Sequence, residues 1–128
     1  MMLEGKRQIP AMQPVMSELT ADNLRSYADK IAGLQKPAPP PAASDAARYE
    51  RGQKIAAASR CANCHNTDFS GAGTNPRLAH QRDDYLVKAL RDYKSAARVD
   101  PGGIMAASVK ELGDAEFADL AYYLANLR

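Results

Sequence analysis

Five consecutive residues, Cys61-Ala62-Asn63-Cys64-His65, dominate the interpretation of this 128-residue chain. They hold both of its cysteines and one of its two histidines. The spacing sets two thiols three positions apart and places an imidazole directly after the second one. All the thiol chemistry open to the chain is therefore confined to one short segment, with a metal-binding ring beside it.

Three kinds of chemistry use cysteines at this spacing. A thiol–disulfide redox pair is typical of a βαβ context, which the alanine-rich flank of the motif does not provide. A structural zinc site needs four ligands, usually with a second pair at similar spacing, and the sequence has no second pair. The pattern C-x-x-C-H is the attachment signature of c-type haem, in which each thiol bonds to one vinyl group and the histidine ligates the iron. The sequence therefore predicts one covalent haem, held through Cys61 and Cys64, with His65 as an iron ligand.

A second axial ligand is predicted from the residues after the motif. Met105 is the only methionine there, and it lies in a Pro- and Gly-rich segment, 100–105, that predicts a loop. A thioether is a soft iron ligand, and His/Met ligation raises the reduction potential of haem. His80 is the rival, which would give bis-histidine ligation and a lower potential. Met12 and Met16 are weaker candidates.

With these residues identified, the chain resembles the class I c-type cytochromes over about residues 45–127. Within them it is most similar to the small bacterial periplasmic cytochromes, including the tandem diheme forms. Besides the haem motif, the resemblance rests on residues 49–55, 71–79, 85–86, 90–94 and 112–124. It implies an all-α, cytochrome c-like fold of short helices around one covalent haem, here preceded by an extra N-terminal helix.

The resemblance also implies a role for each matching residue. Cys61 and Cys64 would form the thioether bonds, with His65 as the proximal and Met105 as the distal iron ligand. The carbonyl of Pro76 would accept a hydrogen bond from the second ring nitrogen of His65 and so fix the ring. The implied haem-binding set is completed by Arg77, Leu78 and Tyr85.

The resemblance bears on three further positions. Gly52 would let the first helix of the haem domain cross the last one closely, against Tyr122 or Tyr123. His80 stands where these relatives commonly have glycine, which keeps it in consideration as an iron-site or surface-tuning residue. Gly113 replaces a common serine cap, and glycine is an acceptable N-cap.

The remaining pattern predicts the domain organisation. Residues 35–44 form a proline-rich, semi-rigid linker between a segment at 1–34 and the cytochrome c domain at 45–128. Helices are predicted over about 45–58, with Ser44 as N-cap, over 83–95 and over 114–127. Loops are predicted over 66–82 and 96–104, and there is no strand pattern.

Residues 1–34 repeat the end of the chain at an offset of 93 positions. Met12 aligns with Met105, and the apolar positions of the predicted closing helix align with Leu24, Tyr27, Ile31 and Leu34. We interpret the segment as a half-domain remnant with one amphipathic helix. Its apolar stripe needs cover, from the haem domain or from a second copy, unless the segment stays partly disordered.

Charge and hydropathy restrict the partners. Residues 60–98 carry seven basic and four acidic side chains, and residues 99–128 carry two and five, an asymmetry that can steer a docking partner. The absence of a dense Lys/Arg cluster excludes nucleic acid, and the absence of a long apolar run excludes a membrane span. The N-terminus lacks the apolar region of an export signal, although the resemblance implies haem attachment in the periplasm. We therefore expect a natural protein that begins further upstream and carries two haems; a monohaem protein with an N-terminal remnant is the alternative.

The sequence thus predicts a periplasmic electron-transfer protein that is not an enzyme. Its expected partners are a quinol-oxidising complex and a terminal oxidase or reductase. It would act as a monomer, or as a weak dimer formed through the N-terminal helix. The alternatives are a haem-bearing redox subunit or fragment of a larger diheme enzyme complex, a haem-based gas sensor from which Met105 departs, and a thiol-redox module.

Overall fold

The computed structural model describes residues 10–35, 44–100 and 102–127. After a single 3₁₀ turn at Pro10–Met12, the helices are α1 (Gln13–Ser17), α2 (Ala21–Ala32), α3 (Ala46–Ala58), α4 (Ala62–His65), α5 (Asp83–Lys94), α6 (Ile104–Val109) and α7 (Asp114–Ala125). Within these ranges there is no strand, only an isolated bridge between Ala72 and Asn75. The predicted all-α fold is confirmed.

The predicted helices are present with small differences at their ends. The N-cap of α3 is Asp45 rather than Ser44, because the Asp45 carboxylate accepts a hydrogen bond of 2.9 Å from the backbone N–H of Arg48. α5 ends at Lys94 and α7 at Ala125, one and two residues earlier than predicted. Helix ends of this kind depend on individual caps, which periodicity does not resolve.

Three short helices, α1, α4 and α6, were not predicted, and α6 is the one that carries a candidate iron ligand. It starts inside the segment expected to be loop, and it puts Met105 in a helical first turn. Gly103 precedes it with a φ of +67°, and the Asp100 carboxylate accepts a hydrogen bond of 3.2 Å from the backbone N–H of Met105. These two features let a short helix begin directly after glycines that otherwise signal a loop.

The chain divides into two compact units, Met1–Pro37 and Ala38–Arg128. In the first, α2 begins at a reciprocal cap, in which the Thr20 hydroxyl accepts from the Asn23 N–H and the Asn23 amide oxygen accepts from the Thr20 N–H. No described residue of α1 or α2 is buried. Most of the predicted linker, residues 36–43, and the N-terminal residues 1–9, which were expected to lack an export signal, lie outside the described ranges.

The internal repeat coincides with the helix boundaries. Shifted by 93 positions, the ends of α2 fall on the ends of α7, and the N-cap Thr20 falls on the N-cap Gly113. In both helices the side chain three positions after the cap accepts a hydrogen bond from the cap's own N–H, from Asn23 in one and Glu116 in the other. The two helices therefore share length, capping pattern and position within the repeat.

The second unit is built where α7 crosses α3 and packs beside α5. Its most deeply buried side chains are Phe117, Leu120 and Leu124 of α7. At the crossing with α3, a Cβ on Gly52 would lie 2.2 Å from the Asp119 carbonyl oxygen and 2.5 Å from the Tyr123 Cβ. The expected close crossing is thus present, Tyr123 is the aromatic involved, and only glycine fits. Among the described residues, none of the helices has the length and apolarity needed to cross a membrane.

Candidate functional site

The C-x-x-C-H motif forms a tight turn followed by one turn of helix. The N–H of Cys61 donates to the Ala56 carbonyl at 3.1 Å, ending α3, and the N–H of His65 donates to the Cys61 carbonyl at 3.1 Å. Between the two helices Arg60 adopts a φ of +54°. This compact turn brings the side chains of Cys61, Cys64 and His65 to the wall of one cavity.

All eight residues predicted for the site line that cavity. They are Cys61, Cys64, His65, Pro76, Arg77, Leu78, Tyr85 and Met105. Much of the remaining wall is apolar and comes from α5 and α7, through Leu86, Leu90, Leu120 and Leu124. The sequence marked these leucines as the apolar faces of two helices. It carried no signal that those faces line a cavity beside the motif, because that depends on how the helices pack.

His65 is held with one ring nitrogen committed and the other available. The side chain is 4% exposed, and its Nδ1 lies 2.8 Å from the carbonyl oxygen of Pro76. A carbonyl can only accept, so Nδ1 of the neutral ring carries the proton and Nε2 keeps its lone pair. This is the arrangement of a metal-ligating histidine, in which the second ring nitrogen fixes the tautomer and orientation.

The two cysteines are not joined in a disulfide. Burial raises the pKa of the Cys61 thiol, so a free thiol at this position stays protonated near neutral pH. A redox-active cysteine instead needs a lowered pKa, since the thiolate is the reactive form. The environment of Cys61 therefore does not favour a reactive thiolate at that position.

Met105 lines the same cavity as His65 and is half-buried. The donors at the cavity wall are therefore one imidazole, one thioether and two thiols, a set that fits covalent haem with two axial ligands. Zinc is a poorer match, because in the part of the chain that is described no group of three or more His, Cys, Asp or Glu side chains is placed to hold a metal ion.

His80, the rival ligand, has both ring nitrogens engaged by protein groups. Nε2 lies 2.9 Å from the Leu127 carbonyl oxygen, and Nδ1 lies 3.2 Å from Nη2 of Arg77. It does not line the cavity that holds His65 and Met105. Its backbone has a φ of +61°, a conformation suited to the glycine that the resemblance leads one to expect there.

Residues 49–128 match the family model described as Cytochrome c. Among curated relatives, cytochrome c-552 of Acidithiobacillus ferridurans is 37% identical over 52% of this chain and 28% of its own length. A thiosulfate dehydrogenase electron acceptor of Thiomonas intermedia (strain K12) is 30% identical over 95% of this chain and 60% of its own length. The chain thus spans less than two thirds of the length of either relative.

Solved structures show the same fold. Reduced recombinant cytochrome c4 from Pseudomonas stutzeri superimposes with a TM-score of 0.83 at 22% identity, covering 95% of this chain and 68% of that one. Cytochrome c4 from Acidithiobacillus ferrooxidans gives 0.78 at 25% identity, covering 97% and 78%. Thiosulfate dehydrogenase from Marichromatium purpuratum, in its as-isolated form, gives 0.76 at 26% identity, covering 95% and 28%.

Proposed function

Since the chain belongs to the cytochrome c family and its haem c is bound covalently through Cys61 and Cys64, we propose that it is a one-electron carrier that ligates the iron with His65 and Met105. When bound, the haem supplies a couple between ferrous and ferric iron. The homologues are electron-transfer cytochromes, which agrees with this role. The protein's part is to hold the ligands, exclude water and present a docking face.

The observation that carries the proposal is the pairing of His65 with Met105 at one cavity. The hydrogen bond from Nδ1 to the Pro76 carbonyl leaves Nε2 as the free donor of the His65 ring. The Met105 thioether is a soft donor on the same cavity wall. An imidazole and a thioether as the two iron ligands would favour a raised potential.

The other predicted residues have supporting roles in this proposal. Leu78 and Tyr85 would contact the macrocycle, and the leucines of α5 and α7 would surround it with apolar side chains that keep water out. Arg77 would set a positive charge at the cavity wall, which favours the ferrous form because that form carries one positive charge less. With His65 and Met105 both bound, neither iron position would stay open, so we propose that the chain carries electrons without turning over a substrate.

The proposed location is the periplasm, and the proposed partners are redox proteins on either side of the carrier. A quinol-oxidising complex would supply electrons, and a terminal oxidase or reductase would accept them. A second candidate for the donor is a dehydrogenase complex, because a relative that aligns with 95% of this chain bears the name thiosulfate dehydrogenase electron acceptor. In that case the chain would serve as a redox subunit of a larger enzyme system.

We also propose that α1 and α2 are the closing part of a preceding haem domain. The support is the offset of 93 positions, at which Met12 aligns with Met105 and the bounds of α2 coincide with those of α7. A partial domain cannot bury an apolar helix face by itself. The natural protein would then be a diheme cytochrome.

An optical spectrum of the haem-loaded protein tests the ligand set. We expect a c-type haem spectrum, with the weak far-red band that a methionine sulfur gives to ferric haem. Met105→Ala should abolish the band, whereas Met12→Ala, a matched control in the other unit, should leave it unchanged. A band that survives Met105→Ala would overturn the assignment of Met105. Thiol titration of the denatured protein should find no free thiol, because both cysteines are thioethers.

A further inference from the structure

His80 connects the wall of the haem cavity to the end of the closing helix. Its backbone N–H donates to the Leu124 carbonyl at 3.0 Å, and its ring Nε2 lies 2.9 Å from the Leu127 carbonyl oxygen. Its other ring nitrogen, Nδ1, lies 3.2 Å from Nη2 of Arg77. One residue in the loop before α5 therefore contacts two carbonyls at the C-terminal end of α7 and one cavity-lining cation.

The chemistry of its neighbours determines the proton on the His80 ring. A carbonyl oxygen only accepts, so Nε2 carries the hydrogen that is donated to Leu127. A guanidinium only donates, so Nδ1 offers its lone pair to Arg77. The neutral ring satisfies both partners at once, and no other protonation state or tautomer does.

This arrangement restricts Arg77. Its Nε donates to the Ala79 carbonyl at 2.9 Å, and its Nη2 donates to His80. The side chain is half-buried and lines the haem cavity. Among the residues that the structure describes, no further acceptor is bonded to the guanidinium, so its remaining N–H groups are available to an anionic group in the cavity. A planar guanidinium with two of its donors already committed has little freedom to turn away.

We propose that His80 is a positioning residue of the haem site, whose neutral imidazole, anchored on Leu127, holds the Arg77 guanidinium at the wall of the haem cavity. The inference rests on the proposed function, because it needs a haem whose charge Arg77 can influence. It assigns a role to a residue that stands where the resemblance leads one to expect glycine.

The backbone conformation of His80 is one that glycine adopts more easily than histidine. At a φ of +61° a non-glycine residue is strained, and glycine would relieve that strain. The two ring hydrogen bonds compensate for this cost in a way that glycine cannot. Binding iron would require His80 to give up one of these bonds, so the positioning role and the rival ligand role exclude each other.

Two substitutions test the two ring nitrogens of His80 one at a time. In His80→Asn, the amide oxygen occupies the place of Nδ1 and accepts from Arg77, and asparagine tolerates the left-handed backbone. In His80→Gln, the longer amide reaches the Leu127 carbonyl in place of Nε2, but no acceptor remains at the Nδ1 position. Arg77→Gln removes the cation itself.

The measurement is the midpoint potential of each haem-loaded full-length variant, by spectroscopic redox titration at low ionic strength. We expect Arg77→Gln and His80→Gln to lower the potential by similar amounts, and His80→Asn to keep it close to the original. The double variant Arg77→Gln/His80→Gln should lie no lower than Arg77→Gln alone, because both changes remove one effect. The unfolding temperature should rank these two variants in the opposite order. His80→Asn should unfold at a lower temperature than His80→Gln, because it loses the hydrogen bond to the Leu127 carbonyl.

Equal potentials in His80→Asn and His80→Gln, or full additivity in the double variant, would overturn the positioning role. Should His80→Gln fail to retain haem, His80→Ala takes its place, since it also leaves Arg77 without its ring acceptor and must lower the potential by about as much as Arg77→Gln does. The far-red band of the unmodified protein tests the proposed ligation independently. Failure of the ligand assignment and failure of the His80 role are therefore distinguishable.

Discussion

The Nδ1 atom of His65 lies 2.8 Å from the carbonyl oxygen of Pro76, although eleven residues separate them in the chain. The contact joins the helical turn of the C-x-x-C-H motif to the loop that follows it. It fixes the proton of the ring on Nδ1 and leaves Nε2 available as a donor. The geometry of the loop around Pro76 therefore sets the geometry of the proposed proximal ligand.

Gly71→Ala should disturb this contact. Gly71 has a φ of +86°, and a Cβ there would lie 2.7 Å from the Arg77 nitrogen and 2.8 Å from the Pro76 carbonyl carbon. Displacing Pro76 weakens its hydrogen bond with His65, which would make His65, as the proposed proximal ligand, a weaker donor to ferric iron. We therefore expect a higher midpoint potential and a lower unfolding temperature. Gly73→Ala is the matched control, since its φ is +56° but nothing lies within 4 Å of the added carbon. Equal behaviour of the two variants would show that backbone strain, and not the displaced carbonyl, is responsible.

Asp100→Ala should loosen the proposed distal ligand. The Asp100 carboxylate accepts from the N–H of Met105 at the start of α6, and its other oxygen is buried with no hydrogen-bond partner among the described residues. Losing the acceptor leaves Met105 in a helical turn that begins without a side-chain cap. We expect a weaker far-red band and faster binding of added imidazole to the ferric protein, measured by stopped flow. Asp100→Asn keeps an acceptor oxygen and should behave like the original protein.

Gly52→Ala should destabilise the haem domain by about 3 kcal/mol, because the added carbon meets main-chain atoms and a Cβ that cannot rotate away. Chemical denaturation, followed by the haem absorbance, measures the change in the free energy of unfolding. Gly33→Ala provides the same chemical change where the nearest atom is 3.5 Å away. A Gly52→Ala protein as stable as the original would mean that α3 and α7 do not cross at this glycine.

Asp119 makes the stability of the α3–α7 crossing depend on pH. Its carboxylate lies 2.6 Å from Nε of Arg51 and 3.4 Å from Nε of Arg48, and the hydrogen bond from Arg51 holds the pKa of Asp119 below its usual value. A lowered folded-state pKa contributes stability above the unfolded-state pKa of about 4, and that stability is lost as the pH falls through the folded-state value. Arg51 is 57% exposed, so solvent screening keeps the contribution small.

Asp119→Asn should therefore unfold at a lower temperature than the original protein at neutral pH, and the difference should vanish in strong acid. Glu111→Gln is the control, because the pair that Glu111 forms with Lys110 is longer, at 3.8 Å, and nearly fully exposed. A difference that persists unchanged below the pKa of Asp119 would point to packing rather than to charge.

Local patterns were enough to predict the four longer helices and the haem-attachment motif. Apolar side chains at helical spacing predicted α3, α5 and α7 to within one or two residues at each end, and the C-x-x-C-H spacing predicted the cofactor. α6 was missed, because it begins directly after two glycines with positive φ and depends on one carboxylate, Asp100, that accepts from its first turn. A short helix of this kind has no periodic signal long enough to outweigh Pro and Gly.

Two neighbouring tyrosines of α7 show what local patterns could not predict. Either Tyr122 or Tyr123 could have met Gly52 by sequence alone. In the structure Tyr123 is buried at the crossing, with its ring against Tyr49 and Phe69. Tyr122 instead accepts a hydrogen bond of 2.9 Å from the Asp45 N–H, with the Arg48 guanidinium over its ring. The rotation of α7 about its own axis, which only packing sets, decided between them.

The sequence by itself determined the haem, its two thioether positions, the all-α class and the repeat of the closing helix, because each depends on residues that are close in the chain. Tertiary structure decided which leucines line the cavity, and it engaged both nitrogens of His80 with Arg77 and Leu127. Those contacts join segments up to 47 residues apart. Their geometry arises only when α7 packs against α3 and α5, so no local pattern encodes it.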